Sequence, residues 1–390
     1  MTTNTLTNLI PDLYEAMDVV SREPVGFIPS VTLFPSSDRA ALNQTIRVPI
    51  TPAATLEALT PGQLPADSGD NNITNNTITI SKAYGVPIRW TGEEEKGINT
   101  GPGYANVRIQ QIAQAFRALT NQIEIDLGSL HTYASRAYGT AGTAPFATDL
   151  SDPAQLRKIL TDNGAPLSDL QMVINTTAGA KVRSLAQLTK ANEAGTTQLR
   201  ELGKLLDIHG FTLRESSGVA TFTAGTKTGV LSISGAAGAT SLTAVLANVS
   251  GNAVALKKGD VITLAGDTNK YVVAADLTMA NNTSSTLVIA APGLIKTASS
   301  AALTISLASG VTASARNMAF SRNAIVLATR MPAAPEEGDM AVDSTEITDP
   351  VSGITFEVRM YKLYRRVKYE IGLAWGYSCI KPEHVSLLIA

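Results

Sequence analysis

Two hydrophobic periods alternate along the chain, and together they lay out its elements. In residues 5–22, Leu6, Leu9, Ile10, Leu13, Met17 and Val20 fall at helical spacing and predict a short amphipathic helix, with Pro11 limiting its first turn. Pro24, Pro29 and Pro35 then keep the chain extended, because proline cannot continue a helix and restricts the residue before it. Such an arm has nothing local to pack on and must lie on the rest of the fold or on a neighbour. Strict alternation follows in Ile46, Val48 and Ile50, and again in Ile78, Ile80, Tyr84, Val86, Ile88 and Trp90, which reads as two strands. Pro87 marks the second as an edge strand. The segment between Leu59 and Asn76 (LTPGQLPADSGDNNITNN) is long for a hairpin tip. A two-stranded arm of this kind is marginal alone in water, so its tip is expected to cross to a neighbouring subunit.

Residues 104–135 predict the longest helix. Ile112, Phe116, Leu119, Ile123, Leu127 and Leu130 step by three or four, and Gln110, Gln114, Arg117, Asn121 and Glu124 take the other side. About thirty residues at about 1.5 Å each make a rod on the order of 45 Å, a spine. The pattern then turns α/β. Asp152-Pro153 starts a helix with Leu156, Ile159 and Leu160 inward and Asn163-Gly164 as its stop. LQMVIN at 170–175 reads as a short buried strand, and Thr176 or Thr177 as the cap of a helix through Val182, Leu185 and Leu188.

Near residue 218 the composition changes. Residues 219–315 are rich in Ala, Gly, Ser, Thr and Val, and their charged side chains are confined to Lys227, Lys257, Lys258, Asp260, Asp267, Lys270, Asp276 and Lys296. The runs VLSI, DVITLAG, YVVAA, TLVIAA and ALTISL, separated by turn residues, predict a small all-β barrel or sandwich inserted into the chain. Long alternating strands close the sequence, first Ile354, Phe356 and Val358, then Val367, Tyr369 and Ile371.

Composition narrows the functional classes. At 390 residues the length suits two domains or one large irregular one. Charged residues are only 16% of the chain against about a quarter in typical domains, which suggests surface that is neutral or covered by partners. A formal charge of −2 excludes wholesale binding to DNA or anionic membrane and leaves room for a local patch. No apolar run is long enough for a transmembrane helix, and the first residues lack a basic signal region, so a soluble, intracellularly made protein is expected. Cys379 has no intrachain partner, and His131, His209 and His384 lack metal-ligand spacing.

No hydrolase elbow, phosphate loop, zinc-protease or dinucleotide motif is present, so no enzyme and no cofactor is indicated. The run GEEEKG places Glu93, Glu94, Glu95 and Lys96 together. Consecutive carboxylates do not converge on one point, so this reads as a solvated or intersubunit charged turn. DSGDNNITNN matches a calcium loop only in composition and reads as a flexible tip. His131 is expected as a packed or surface residue of the spine, and Cys379 as core. One basic cluster remains: Arg359, Lys362, Arg365, Arg366 and Lys368, flanked by Glu357 and Glu370. On a single strand Arg366 and Lys368 would share a face with Lys362, and Arg359 with Arg365. Ion pairs within or between subunits are the first reading of this cluster, and contact with a polyanion such as DNA the second.

The order of arm, extended loop, spine helix, α/β segment, β insertion and closing strands resembles the major capsid protein fold of tailed bacteriophages, the Hong Kong 97-type fold. LIPDLYEAMDVVSREPVGFIPSV at 9–31 is similar to the N-terminal arm of the podovirus-type branch that carries a β-barrel insertion domain. LKKGDVITLAG at 256–266 and TLVIAAPGLI at 286–295 resemble its insertion core. FSRNAIVLATRMP at 320–332 and DPVSGITFEVRMYKLYRRVKYEIGLAWGYSCIKPEHVSLLIA at 349–390 resemble its closing segments. The resemblance implies an α+β fold with an N-arm at 1–45, an extended E-loop at 46–92, and spine helix and peripheral domain at 93–150. An axial domain would occupy 151–218 and 316–348, the inserted barrel 219–315, and the closing peripheral strands 349–390. It further implies a subunit of hexamers and pentamers in a virion shell, assembled in the host bacterial cytoplasm without membrane. Scaffolding and portal proteins and packaged double-stranded DNA would be its partners. Lys257, Lys258 and Asp260 would be candidates for gripping neighbours through the insertion. The alternative reading is a β-rich adhesion or carbohydrate-binding module on an α/β body.

Overall fold

The apolar stripe from Ile112 to Leu127 forms the buried face of one long helix, Gly103–Gly128, in the computed structural model. The structure describes residues 13–17, 25–50, 74–98, 103–185, 188, 207–280, 283–306, 311–350 and 352–390. The spine helix is shorter than the periodicity predicts and passes into a 3-10 turn at Ser129–Tyr133. Tertiary packing requires a glycine at that junction. A Cβ on Gly128 would lie 2.2 Å from the Gly218 carbonyl oxygen, where the chain crosses on its way to the insertion.

Gln110, Gln114 and Asn121 face solvent as expected, but Glu124 does not. It is 3% exposed, while its neighbour Ile125 is 55% exposed. The Glu124 carboxylate accepts the backbone N–H groups of Gly26 (3.2 Å), Phe27 (2.9 Å) and Ile28 (2.8 Å), and the Ser216 hydroxyl (2.5 Å). Buried carboxylate oxygens are tolerated only when donors fill them, and the arm supplies three in succession. The arm is thereby drawn into the core, with Phe27, Ile28 and Val31 buried against the spine. Of the helix expected at 5–22, residues 13–17 are helical and bury Leu13, Ala16 and Met17 in the same core; the remainder lies outside the described residues. Pro29 stands in a 3-10 turn, Ile28–Ser30, and not in extended chain, since its fixed φ suits the first turn of a helix. Pro35 does lie in a strand, Thr32–Ala40, at the outer end of a sheet where a missing N–H breaks no ladder.

That sheet has six strands. Thr32–Ala40 runs parallel to Ile325–Pro332, followed by Arg366–Cys379, Thr355–Leu363 and Ala341–Thr348. Lys82–Thr91 pairs only with Arg366–Cys379, as Pro87 predicts for an edge strand. Phe356, Val358, Met360 and Ile371 pack this sheet on the spine, with Phe116 edge-on to Phe356 at 4.9 Å. The alternating run at 78–90 is not one strand. Thr74–Thr79 forms a hairpin with Thr45–Ile50, and Lys82–Thr91 leaves it to join the large sheet. Gly376 permits the break, because a Cβ there would meet the Thr79 carbonyl oxygen at 2.2 Å, and the Ser81 N–H donates to Trp375 O at 3.1 Å. The hairpin tip, residues 51–73, lies outside the described residues.

A second sheet of twelve strands begins with Phe211–Glu215, Leu170–Ile174, Ala313–Ser321, Val385–Ile389 and Arg136–Gly139. Helices Ser151–Asp162 and Thr176–Ser184 cover it through Leu156, Leu160, Ala178 and Val182. The first stops at Asn163-Gly164 as predicted, with Gly164 at φ 74°. The second is capped by Asn175, whose side chain accepts the Ala178 N–H at 2.9 Å, and not by Thr176 or Thr177, which are already helical. From Arg136–Gly139 the sheet continues through Lys270–Val272 into the 219–315 segment, as Val261–Leu264, Ala298–Ile305, Leu231–Gly235, Ser241–Leu246 and Ser284–Val288. The two ends of this run meet at a bridge between Val273 and Ile289. Leu231, Ile233, Leu242, Leu256, Ile262 and Leu287 belong to a core of their own, whereas Val261, Val272 and Ala290 belong to the main core. Thr221–Thr223 pairs with residues 313–315 to close the neck.

Two outcomes test this arrangement. Glu124→Ala should lower unfolding free energy by on the order of 3–5 kcal/mol in urea titration, since it strands buried donors. A loss below about 1 kcal/mol would mean that the arm is held elsewhere. Residues 219–315 expressed alone should give strand-type circular dichroism and a cooperative melt, at lower temperature than in the whole chain because the Lys270–Val272 pairing is lost. A random-coil spectrum would reject an autonomous unit.

Candidate assembly surface

The acidic and basic segments singled out in the sequence come together at one corner. Lys82–Thr91 runs beside Arg366–Cys379 with Thr91 opposite Arg366 and Arg89 opposite Lys368. The chain beyond Thr91 therefore emerges beside the two-residue turn, Tyr364-Arg365, that joins the two closing strands. The Gly92 N–H donates to the Arg365 carbonyl at 3.2 Å.

GEEEKG is a short helix, Gly92–Ile98, and not a turn. Its start is a reciprocal cap. The Thr91 N–H donates to Glu94 Oε2 at 2.9 Å and the Glu94 N–H to Thr91 Oγ1 at 3.3 Å, and the backbone bond foremost holds the Glu94 carboxyl below its ordinary range. Carboxylates in a first turn also suit the helix dipole. The signal was legible as Thr91 followed three residues later by Glu94. Glu93 and Lys96 are exposed, and Glu95 is partly buried.

The basic cluster divides. Arg359 pairs with Asp339 and, at 2.7 Å, with Glu357, which also holds Arg39 at 2.6 Å. Lys368 pairs with Glu370 and lies 5.2 Å from the Tyr361 ring. Lys362, Arg365 and Arg366 are exposed, and among the described residues no carboxylate pairs with them. Their faces differ from the single-strand expectation. The turn folds the cluster onto itself, so Arg359 lies opposite Glu370 and Tyr361 opposite Lys368, with Leu363 opposite Arg366. Directly opposed residues share a face, which puts Arg366 and Lys368 with Arg359 and leaves Lys362 on the other side against Val367. At the tip Tyr364 is 91% exposed, and Arg365 holds the left-handed conformation at φ 56°.

In the insertion only the lysines reach the surface. Lys257 is exposed, and Lys258 Nζ sits 3.5 Å from the centroid of the Tyr133 ring of the same subunit. Asp260 is fully buried and accepts the N–H groups of Gly225 (3.0 Å) and Lys257 (2.7 Å). It staples its own turn, which removes it from the neighbour-contact candidates.

The remaining candidates, His131 and Cys379, are packed into the fold. His131 is buried, its Nδ1 3.1 Å from the Gly128 carbonyl and its ring edge-on to Phe222 at 5.3 Å. Burial pulls its pKa down to about 4. Cys379 is packed against the main core, and burial pushes its thiol up to about 12. Among the described residues no group of His, Cys, Asp and Glu is placed to hold a metal, and no helix is long and apolar enough to cross a membrane. Sequence reasoning missed two buried charges near the spine's end. Asp126 accepts from Lys82 Nζ (2.5 Å) and Trp375 Nε1 (2.9 Å), and Arg316 is 2% exposed with its guanidinium 4.9 Å from the Phe222 ring.

No family model and no curated protein sequence matches the chain. Among solved structures it is similar to one from Mycobacterium phage Che8, at 12% identity over 96% of this chain and 87% of that chain, with a TM-score of 0.45. It is similar to the capsid structure of cyanophage P-SCSP1u at 12% identity over 94% of this chain and 88% of that chain, TM-score 0.49. A third is the mature capsid of bacteriophage PhiM1, at 11% identity, 94% and 87% coverage and a TM-score of 0.46.

Burial of neutral His131 predicts an acid response. Its folded pKa lies below the ordinary 6.5, so the unfolded chain takes up the proton first as pH falls. The stabilising difference is complete above pH 6.5 and is lost progressively toward about 4. Between pH 7 and 4 the wild type should lose about 3 kcal/mol more than His131→Gln in urea titration. Parallel pH profiles for the two would remove His131 from the account.

Proposed function

We propose that this chain is the major capsid subunit of a tailed double-stranded DNA bacteriophage and that it self-assembles into the icosahedral head shell. The observation that carries this reading is the order of parts. An arm is pinned along a spine helix, a hairpin leaves the large sheet, and a β-rich insertion with its own core interrupts a second sheet, as the sequence resemblance implies. Physical chemistry supports it as well. A charged share of 16% suits large shared interfaces, whose centres are depleted of charge.

On this reading residues 1–45 are the N-arm, 46–92 the E-loop, 93–150 and 349–390 the peripheral domain with the spine. Residues 151–218 and 316–348 form the axial domain, and 219–315 the inserted barrel. The partners are further copies in hexamers and pentamers, scaffolding and portal proteins during assembly in the host cytoplasm, and packaged DNA touched without sequence preference.

Sedimentation and negative-stain microscopy of the purified chain test the proposal. Shells or capsomers are expected. A monomer that binds glycans would replace it with the adhesion-module reading. Deleting residues 62–73 should leave a folded, soluble chain that no longer closes shells, because the strand Thr74–Thr79 and the hairpin base stay intact. Normal shells from the deletion would refute a role for the loop in joining subunits.

A further inference from the structure

We infer that the Tyr364-Arg365 turn of one copy docks against the acidic helix Gly92–Ile98 of a second copy. The inference rests on the shell reading and specifies one contact within it.

Three observations lead there. First, the corner carries both signs side by side on exposed side chains. Lys362, Arg365 and Arg366 have no carboxylate partner among the described residues, and Glu93 is exposed on the adjoining helix. Of the other cations nearby, Arg359 and Lys368 are satisfied by Asp339, Glu357 and Glu370, while Arg89 and Lys96 are exposed at the same corner. Second, Tyr364 is 91% exposed at the end of a hairpin whose turn holds a non-glycine residue at φ 56°. Left-handed backbone at such a residue is uncommon, and tyrosine is the residue type enriched where interfaces are anchored. Third, the backbone fixes the distance between the two patches. The Gly92 N–H to Arg365 carbonyl bond and the opposition of Thr91 to Arg366 tie the helix start to the turn.

A copy that carries a basic turn beside an acidic helix can present the turn to a second copy and the helix to a third. The turn of one copy meets the helix of the next, and the turn of that copy meets a third. This is a heterologous contact, of the kind that closes into rings. A polyanion fits the corner less well, because Glu93 is exposed on the helix that adjoins the cations. The chain as a whole, at −2, offers no compensating field.

Mixing two charge variants separates contact between copies from contact within one. Arg366→Glu and Glu93→Lys, each alone, should raise the concentration required for assembly about tenfold in about 0.05 M salt, with a smaller effect near 1 M. Mixed in equal parts they should co-assemble at a clearly lower concentration than either alone, because wherever the two alternate a glutamate turn meets a lysine helix and the native turn meets the native helix. Tyr364→Ala should weaken assembly independently of salt, and Tyr364→Phe should leave it intact. Single variants that assemble as well as wild type would overturn the inference, and so would a mixture no better than its parts. Empty shells that form normally but fail to retain DNA would assign the turn to a polyanion instead. A wild-type chain that stays monomeric would reject the shell reading, and this contact with it.

Discussion

Four segments far apart in sequence meet at the Glu124 carboxylate and its neighbour two residues on. Residues two apart on a helix point to nearly opposite sides, so Glu124 and Asp126 reach in different directions from the same turn. Glu124 takes three N–H groups of the arm and the Ser216 hydroxyl ahead of the insertion. Asp126 takes Lys82 at the root of the edge strand and Trp375 in the middle of the closing one. Four distant segments are thus registered against one turn of helix. Buried charges contribute little net stability compared with well-packed apolar groups, yet leaving one unpaired is costly. Their effect is therefore on position. The arm cannot slide along the spine without uncovering a charge, which gives it a single resting place.

The same reasoning applies where the insertion meets the body. His131, Phe222, Arg316 and Asp260 come from the spine's terminal turn, the two sides of the neck and the insertion's own loop. The Phe222 ring lies between the imidazole and the guanidinium. Asp260 favours the charged form of Arg316, whereas Arg316 disfavours a charge on His131. Together with the pairing of Lys270–Val272 on Arg136–Gly139, this makes the insertion an extension of the second sheet with its own core. A flexible tether would leave the two bodies free to rotate; a shared strand ladder and a buried polar contact hold them at a fixed angle.

Periodicity revealed those elements whose cause is local. The spine stripe, the edge character set by Pro87, the stop at Asn163-Gly164 and the β-rich insertion all follow from residues within a few positions of one another. The misreadings have distant causes. Glu124 sits next to Ile123 at the border of the apolar stripe, and only the arm, almost a hundred positions earlier, decides that it turns inward. Residue 128 must be glycine because the Gly218 carbonyl crosses it, and Gly376 admits the break at Ser81. For the corner, residue types and acid–base proximity were legible, but the pairing was not. A hairpin turn placed inside the basic cluster exchanged its faces, and a cap at Thr91 gave Glu94 a local partner.

Charge is scarce in this chain, and that scarcity gives the unpaired charges their meaning. An exposed ion pair is worth about 0–1 kcal/mol, so on a densely charged surface any one pair is lost among alternatives. Here Arg359, Arg39 and Lys368 are satisfied by carboxylates of the same sheet, and Arg136 by Asp162 and Asn163. Lys362, Arg365, Arg366 and Glu93 remain exposed beside the turn. Buried charges on the spine settle how one subunit folds, and the small unpaired set beside the Tyr364 turn is then presented in a rigid, reproducible geometry. A weak contact repeated in fixed geometry around a closed ring acts additively, whereas the same contact on a mobile loop would spend its energy on ordering the loop. In the assembly proposed above, the rigidity that begins at Glu124 would therefore let a fraction of a kcal/mol per pair select one arrangement of neighbours over another.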